Sequence, residues 1–381
     1  MAYWKECTLS ELGTVVGGAT PSTKKTDNYV GGNISWITPK DLAGFSGRYI
    51  SYGSRNITET GLKSCSAQLM PKNSILFSSR APIGYIAIAG KELCTNQGFK
   101  SIVPNSNTDY MFLYYLLKYN KNAIEHMGSG TTFKEVSANT MRNIKVKVPV
   151  SLGEQQKIAR ILSSLDDKIE INTKINENLL QQIEALFKER YLTYDKLPFG
   201  WKRLLLGDVS DMMAGGDKPQ NISDQQTAVY KYPIYSNGIS DEGLYGFTTD
   251  YKISEESVTV SARGTIGYVC LRHIPYTPIV RLITLVPHLN TVSAKYLYLW
   301  LKCIPIHGTG TTQQQLTVPD FRKTEIIVPP EVEMKNFTET VNPLFLQVWA
   351  NQDENTKLID IRNTLLPRLM SGELNVSNLG I

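Results

Sequence analysis

The sequence predicts an α+β protein in which two similar mixed α/β globules alternate with two long helices that pair as an antiparallel coiled coil. Three observations carry this. The chain is written twice, its texture changes sharply after each copy, and each segment that follows a copy bears a near-heptad apolar stripe.

The repeat comes first. Residues 78–88 read SSRAPIGYIAI and residues 261–271 read SARGTIGYVCL, with five of eleven positions identical at a shift of 183. Further on, GSGTTFKEVSANTMRNIKVKVP (128–149) pairs with GTGTTQQQLTVPDFRKTEIIVP (308–329) at a shift of 180. Between them FLYYLLKYN (112–120) matches YLYLWLKCI (296–304) at a shift of 184. Three correspondences in one order at nearly one offset are not coincidence. The copies diverge near their starts, because Trp4 stands 74 positions before Ser78 while Trp201 stands 60 before Ser261. A constant framework with a variable insert suits two similar scaffolds that read different targets.

Within each copy the globular part is rich in Gly, Ser, Thr and aromatics. Short β-type runs at 74–77, 85–89, 258–261 and 281–286 alternate with turn residues. Helices are expected at 109–122 and 293–303. Residues 154–192 then contain neither Gly nor Pro, which predicts one long helix on the order of 55 Å at ~1.5 Å per residue. Its stripe runs through Ile158, Leu165, Asn172, Leu179 and Leu186 at multiples of seven, with a second line at Ile161, Ile169, Ile175 and Ile183. At a shift of 179 the second copy repeats it as Phe337, Leu344, Asn351, Leu358 and Leu365, again with Asn in third place. Pro343 is expected to kink that helix or to mark a late start. A buried Asn at both equivalent places would fix helix register; exposure at the surface is the alternative. The boundaries that follow are 1–150 for the first globule, 151–194 for the first helix, 195–330 for the second globule, 331–374 for the second helix and 375–381 for a tail.

Composition narrows the function. A net charge of +5 permits a nucleic-acid partner without demanding one. Five cysteines with no C-x-x-C pair argue against a disulfide framework or a cysteine zinc site, and Cys94 and Cys270 read as small core residues. Neither a signal peptide nor an apolar run long enough to cross a bilayer is present, so a cytoplasmic protein without a membrane partner is expected. A glycine-rich nucleotide loop, a phosphate-binding G-x-x-x-x-G-K-[ST] and an N-P-P-Y or D-P-P-Y tetrapeptide are all missing. Asp166 and Asp167 read as a solvated acidic face, and the four histidines as surface or packing residues. No catalytic residue, cofactor or metal is expected on this chain.

Binding chemistry is present instead. GGATPSTKK (17–25) is small, hydroxyl-rich and basic, so Thr20, Ser22, Lys24 and Lys25 suit phosphate contacts. The equivalent GGDKPQN (215–221) supplies Lys218 and Gln220, and a Gln can pair bidentately with adenine. Either loop is alternatively a solvated hairpin. Arg80 and Arg263 follow β-type runs at matching places, able to reach a guanine edge, a phosphate or a buried acid. Thr131, Thr132, Thr311 and Thr312 lie in paired Gly-Thr-rich loops that are either DNA contacts or tight turns.

The order globule, helix, similar globule, similar helix resembles the specificity-subunit family of type I restriction-modification systems. The phrases WITPKDL (36–42), SRAPIG (79–84) and TNQGFK (95–100) are similar to that family's first-domain pattern, LGEQQKI (152–158) to its helix start and LLPRLMSGEL (365–374) to its ending. The second domain reads YSNG (235–238) where the first has its tryptophan phrase. The resemblance implies two target recognition domains, each binding half of a bipartite DNA site. It adds Thr38, Lys40, Ser79, Gln97, Lys100 and Asn237 to the residues expected at DNA. It implies as partners double-stranded DNA, two methyltransferase subunits and two motor-nuclease subunits, with S-adenosylmethionine, ATP and Mg on those partners alone. A coiled-coil adaptor with two peptide- or glycan-binding domains is the alternative.

Overall fold

The computed structural model describes residues 3–80, 82–129, 134–193, 196–308 and 314–376. The chain divides into two compact units, Met1–Lys174 with Asn351–Ile381, and Ile175–Ala350. Each unit is a globule with the near halves of both long helices, so the division falls inside the helices rather than at their ends.

The first globule holds β1 (Trp4–Thr8), β2 (Gly13–Gly17), β3 (Ile34–Ile37), β4 (Tyr49–Ile50), β5 (Arg55–Ile57), β6 (Ile75–Ser79), β7 (Ile83–Ala89), β8 (Cys94–Thr95), β9 (Lys100–Pro104) and β10 (Lys145–Pro149). Its helices are α1 (Leu9–Leu12), α2 (Glu59–Lys63), α3 (Tyr110–His126) and α4 (Ala138–Asn143), and α5 (Leu152–Tyr191) leaves it. The second holds β11 (Lys202–Leu205), β12 (Ser210–Ala214), β13 (Tyr232–Tyr235), β14 (Leu244–Thr248), β15 (Ser257–Ser261), β16 (Val269–Arg272), β17 (Thr277–Pro278), β18 (Leu282–Pro287) and β19 (Glu325–Val328). There α6 (Leu206–Val209), α7 (Ala294–Cys303) and α8 (Val318–Phe321) precede α9 (Glu331–Met370).

The sheets repeat with the sequence. The order β2-β9-β6-β7-β4 in the first unit matches β12-β18-β15-β16 in the second, β5-β3-β8 matches β14-β13-β17, and the ribbon β1-β10 matches β11-β19. Only β4, in the longer first insert, lacks a counterpart among the described residues. The matched phrases now have a cause. Gly84 and Gly267 both take φ near +90° (93° and 83°), and at that backbone conformation a side chain is strained. Ser137 and Thr317 cap equivalent short helices, each accepting from a backbone N–H three residues on.

The helices are set by local chemistry. At the start of α5, buried Gln155 accepts from the Asp109 N–H (3.0 Å) and donates to the Pro149 carbonyl (3.1 Å), fastening the helix to its globule. At the end of α9, Gly372 stands at φ 78° where a Cβ would lie 2.8 Å from the Trp4 ring. Trp201 packs likewise on Tyr191 at the end of α5, with ring centroids 5.6 Å apart. Each opening tryptophan thus meets the end of a long helix.

In the first unit contacts run from Asp166–Arg362 (2.6 Å) to Asn172–Glu354 (2.7 Å), and in the second from Asn176–Val348 (3.0 Å) to Arg190–Glu333 (3.2 Å). Residue numbers rise on one helix as they fall on the other, so the pair is antiparallel. On α9 the heptad positions Leu344, Asn351, Leu358 and Leu365 are all buried or half-buried. On α5 the expected register drifts. Ile158, Asn172, Leu165 and Leu179 face inward, but Leu186 is 46% exposed and Ile175 42%. The covered positions follow an eleven-residue spacing, 158/169/180/191, 161/172/183 and 165/176/187, close to the natural helical turn. A strict seven-residue line therefore walks off the seam, and Ile183 and Phe187 fill the place expected of Leu186.

Two other expectations are corrected. Pro343 does not delay α9, which begins at Glu331 and runs through it with the proline exposed. Asp166 is not solvated: it is buried, accepting from the Tyr115 hydroxyl and Arg362 (both 2.6 Å), while Asp167 is exposed but pairs with Arg48. Asn172 and Asn351 are both buried. Cys94 and Cys270 are core residues, their thiols pushed up by burial to about 12 and about 11.

Candidate nucleic-acid interface

In both sheets the ends of four antiparallel strands converge: β2, β9, β6 and β7 in the first unit, β12, β18, β15 and β16 in the second. The sequence-predicted residues gather at that end. In the first unit, β2 passes into the 17–25 loop at Gly18, where any Cβ would lie 2.1 Å from the Asn96 carbonyl oxygen. That approach lets the Ala19 N–H donate to the Thr95 carbonyl (3.0 Å) and brings the Thr20 hydroxyl onto the Gln97 carboxamide. Tyr29 donates to the Pro21 carbonyl (2.6 Å) and Asn28 to that of Ser22 (2.9 Å), so the loop backbone is tied inward. Thr20, Ser22, Lys24 and Lys25 stay exposed on it.

The 38–42 turn borders the 95–100 segment on which this loop rests, with a Cβ on Gly98 falling 2.9 Å from the Pro39 ring. Thr38 donates its hydroxyl (2.6 Å) and N–H (2.7 Å) to Asp41, which also accepts from the Ser54 N–H (2.8 Å). Burial would raise the Asp41 carboxyl, but these hydrogen bonds outweigh it and hold it below the usual range. Thr38 is thus engaged in holding the turn, which leaves Lys40 as its exposed cation.

At the end of β6 one expectation fails. Ser79 is buried, its N–H and hydroxyl both directed at the Gly98 carbonyl (2.7 and 3.2 Å), so it shapes the loop and cannot touch DNA. Its neighbour Arg80 is half-buried and lies 3.6 Å from the Glu135 carboxylate, which also meets Lys100 at 3.2 Å. Glu135 is anchored by reciprocal backbone bonds with Ser129 (3.0 and 3.1 Å), and the next residue, Val136, donates to the Ser79 carbonyl (2.9 Å).

The second unit reproduces the frame with different groups. Leu316 donates to the Ala262 carbonyl (2.8 Å), as Val136 does to Ser79. Asn237 donates to the Arg263 carbonyl (2.7 Å) and accepts from the Thr265 hydroxyl (2.8 Å), so it positions the arginine's backbone. Lys218 meets the Tyr245 hydroxyl at 2.7 Å and Gln220 is exposed beyond it. Thr131, Thr132, Thr311 and Thr312 lie outside the described residues.

Sequence reasoning missed three residues here. Glu135 and its counterpart Gln315 were readable from the 180-residue shift. Exposed Arg281, at φ 70°, occupies the place of Gly98 and accepts the Ala262 N–H (2.9 Å) on its carbonyl. Among the described residues no group of three or more His, Cys, Asp or Glu is placed to hold a metal ion, and no helix is long and apolar enough to cross a membrane.

Two copies of one scaffold, each gathering lysines, arginines, amides and hydroxyls at one sheet end, define a duplicated binding protein. A family model for the type I restriction modification DNA specificity domain matches residues 1–181 and again 198–356, and the chain belongs to that family. It is 34% identical to the type I restriction enzyme MjaIX specificity subunit of Methanocaldococcus jannaschii, over 99% of this chain and 94% of that one. The HindI specificity subunit of Haemophilus influenzae is 23% identical over 98% and 100%. A crystal structure of a type I restriction-modification S subunit from M. genitalium shares the fold at TM-score 0.62 and 19% identity, covering 97% of this chain and 96% of that one.

Proposed function

We propose that this chain is the non-catalytic DNA-reading subunit of a type I restriction-modification complex. Each globule binds one half of a bipartite, asymmetric site, and the paired helices set the spacer and dock two methyltransferase subunits. The observation that carries this is the repeated sheet end, built on one backbone frame but dressed with different side chains in the two units. That is the arrangement expected where one mode of docking serves two sequences. Two motor-nuclease subunits would complete the complex in the cytoplasm, with S-adenosylmethionine, ATP and Mg bound by partners.

Phosphate contacts would come from Lys24, Lys25, Lys40 and Lys218 with the loop hydroxyls, and base contacts from Gln97, Arg80, Gln220 and Arg263. The test is exchange of residues 195–330 for the matching domain of a relative, followed by methylation mapping. One half-site should change and the other persist; a change in both, or in neither, refutes independent reading. Calorimetry on the purified chain should detect no micromolar binding of S-adenosylmethionine or ATP.

A further inference from the structure

The two sheet ends differ at one place in a way that sorts their arginines. In the first unit Glu135 stands between Arg80 (3.6 Å) and Lys100 (3.2 Å), and its backbone is stitched to Ser129 and, through Val136, to Ser79. In the second unit the same frame carries Gln315 in place of Glu135 and Ile283 in place of Lys100. One globule therefore holds a carboxylate at its reading end, and the other an uncharged amide of nearly the same shape.

A carboxylate there has two physical effects. It repels DNA phosphates, so it weakens sequence-independent binding, which comes almost wholly from the backbone charge. It also attracts the Arg80 guanidinium at ion-pair distance (3.6 Å), while a backbone bridge between Arg80 and Glu135 keeps the two residues side by side, so the arginine's place is biased. Lys100 meets the same carboxylate at 3.2 Å and is largely covered, which holds Glu135 in place.

Resting on the DNA-reading function, we propose that Glu135 is a specificity-determining residue: it buttresses Arg80 as a reader of a guanine edge in the first half-site and suppresses non-specific phosphate binding. It acts through Arg80 and is a positioning residue. The second globule carries Gln315 at the equivalent place, without the carboxylate's repulsion of phosphate, and its binding depends more on salt.

The experiment uses the full chain assembled with its methyltransferase subunits, on duplexes carrying the mapped site, single base changes in either half-site, or a scrambled sequence. Glu135→Gln should raise affinity for the scrambled duplex by roughly 3- to 10-fold at low salt and steepen the log K against log salt slope by about one. It should also cut discrimination at one base pair of the first half-site by about 10-fold or more, leaving the second half-site unaffected. Gln315→Glu should do the converse in the second half-site. Because glutamine already serves at the equivalent place, Glu135→Gln is expected to fold, and an unchanged melting temperature checks this. Unchanged slope and discrimination in a folded variant overturn the inference, as does a slope change without loss of discrimination. If the unaltered complex fails to distinguish the mapped site from the scrambled one, the DNA-reading function fails, and this inference with it.

Discussion

The two globules share a frame yet hold one matched stretch of helix by different chemistry. At a shift of 179, Asp166, Asp167 and Glu170 on α5 stand where Phe345, Leu346 and Trp349 stand on α9. In the first unit Arg48, almost fully buried, meets Glu170 at 2.8 Å and also Asp167, while the Tyr115 hydroxyl and Arg362 close on Asp166. In the second unit Tyr115 is replaced by Leu299, and Trp349 stacks on His273 with centroids 4.0 Å apart. Farther along the helices Phe187, Tyr191, Tyr296 and Phe337 form a cluster with every ring pair 5.1–5.7 Å apart. Arg48 belongs to the insert that adds β4, and a side chain delivered by an insert had to be matched by acids on the helix. The shorter second copy packs rings instead. A duplicated fold keeps its backbone while the attachment of globule to helix is rebuilt from either kind of contact.

The largest effect expected of any break falls on the apolar side. Phe345→Ala removes a fully buried ring from the second core and should cost about 3–5 kcal/mol. Limited proteolysis and calorimetry should find the second unit opening first, with the first unit little changed. Equal loss in both would mean that the units are not separate cores.

On the polar side Asp166→Leu should cost on the order of 3 kcal/mol, because it strands Arg362 and the Tyr115 hydroxyl in a covered place. Adding Arg362→Met and Tyr115→Phe should recover most of that loss, which converts the first attachment toward the second. A triple variant no more stable than the single one would mean that the ion network is a net stabiliser. Arg48→Met is expected to cost less, about 1 kcal/mol, since both carboxylates it releases reach solvent, Asp167 being more than half exposed and Glu170 about a third. Urea unfolding of the two proteins side by side measures the difference.

The frame was legible in the sequence because it rests on backbone needs that only certain residues meet. Gly84 and Gly267 answer a positive φ, Ser137 and Thr317 answer a helix cap, and the long helices announce themselves by lacking Gly and, in the first copy, Pro. What was not legible depends on three-dimensional proximity. Leu186 fits a seven-residue line on paper, but α5 follows an eleven-residue one. Asp166 looked like solvated surface until Tyr115 and Arg362 were seen to cover it. Ser79 sits in a phrase of binding residues yet is buried, since β6 lies between β9 and β7 and all five of its residues are covered, Ser78 as well as Ser79. The 180-residue shift pairs Glu135 with Gln315, but only the folded structure places Glu135 between Arg80 and Lys100.

The smallest expected effect tests the helix pair itself, at the one polar residue both copies keep in their stripes. Asn172 is buried and donates to Glu354 (2.7 Å) and Asn355 (3.0 Å), while its own side-chain oxygen is covered without a hydrogen-bond partner. Such an orphaned acceptor costs about 1–3 kcal/mol, which offsets the bonds that its amide makes to the half-exposed Glu354 carboxylate and to Asn355. Asn172→Ile removes both at once, so stability near pH 7 should change little or rise slightly, while the register of the pair becomes less sharply defined. Acid separates the two contributions. The hydrogen bond from Asn172, followed by that from Lys168, holds the Glu354 carboxyl below the usual range. A carboxylate depressed by folding stabilises the native state above its unfolded pKa of about 4.3, and the gain disappears as pH falls through the folded value. The unaltered chain loses that contribution in acid, and the isoleucine variant has less of it to lose. The variant's melting temperature relative to the unaltered chain should therefore rise as pH falls from 7 to well below the folded range of the Glu354 carboxyl, and a clear deficit at pH 7 that persists there would mean that Asn172 stabilises the pair without help from Glu354.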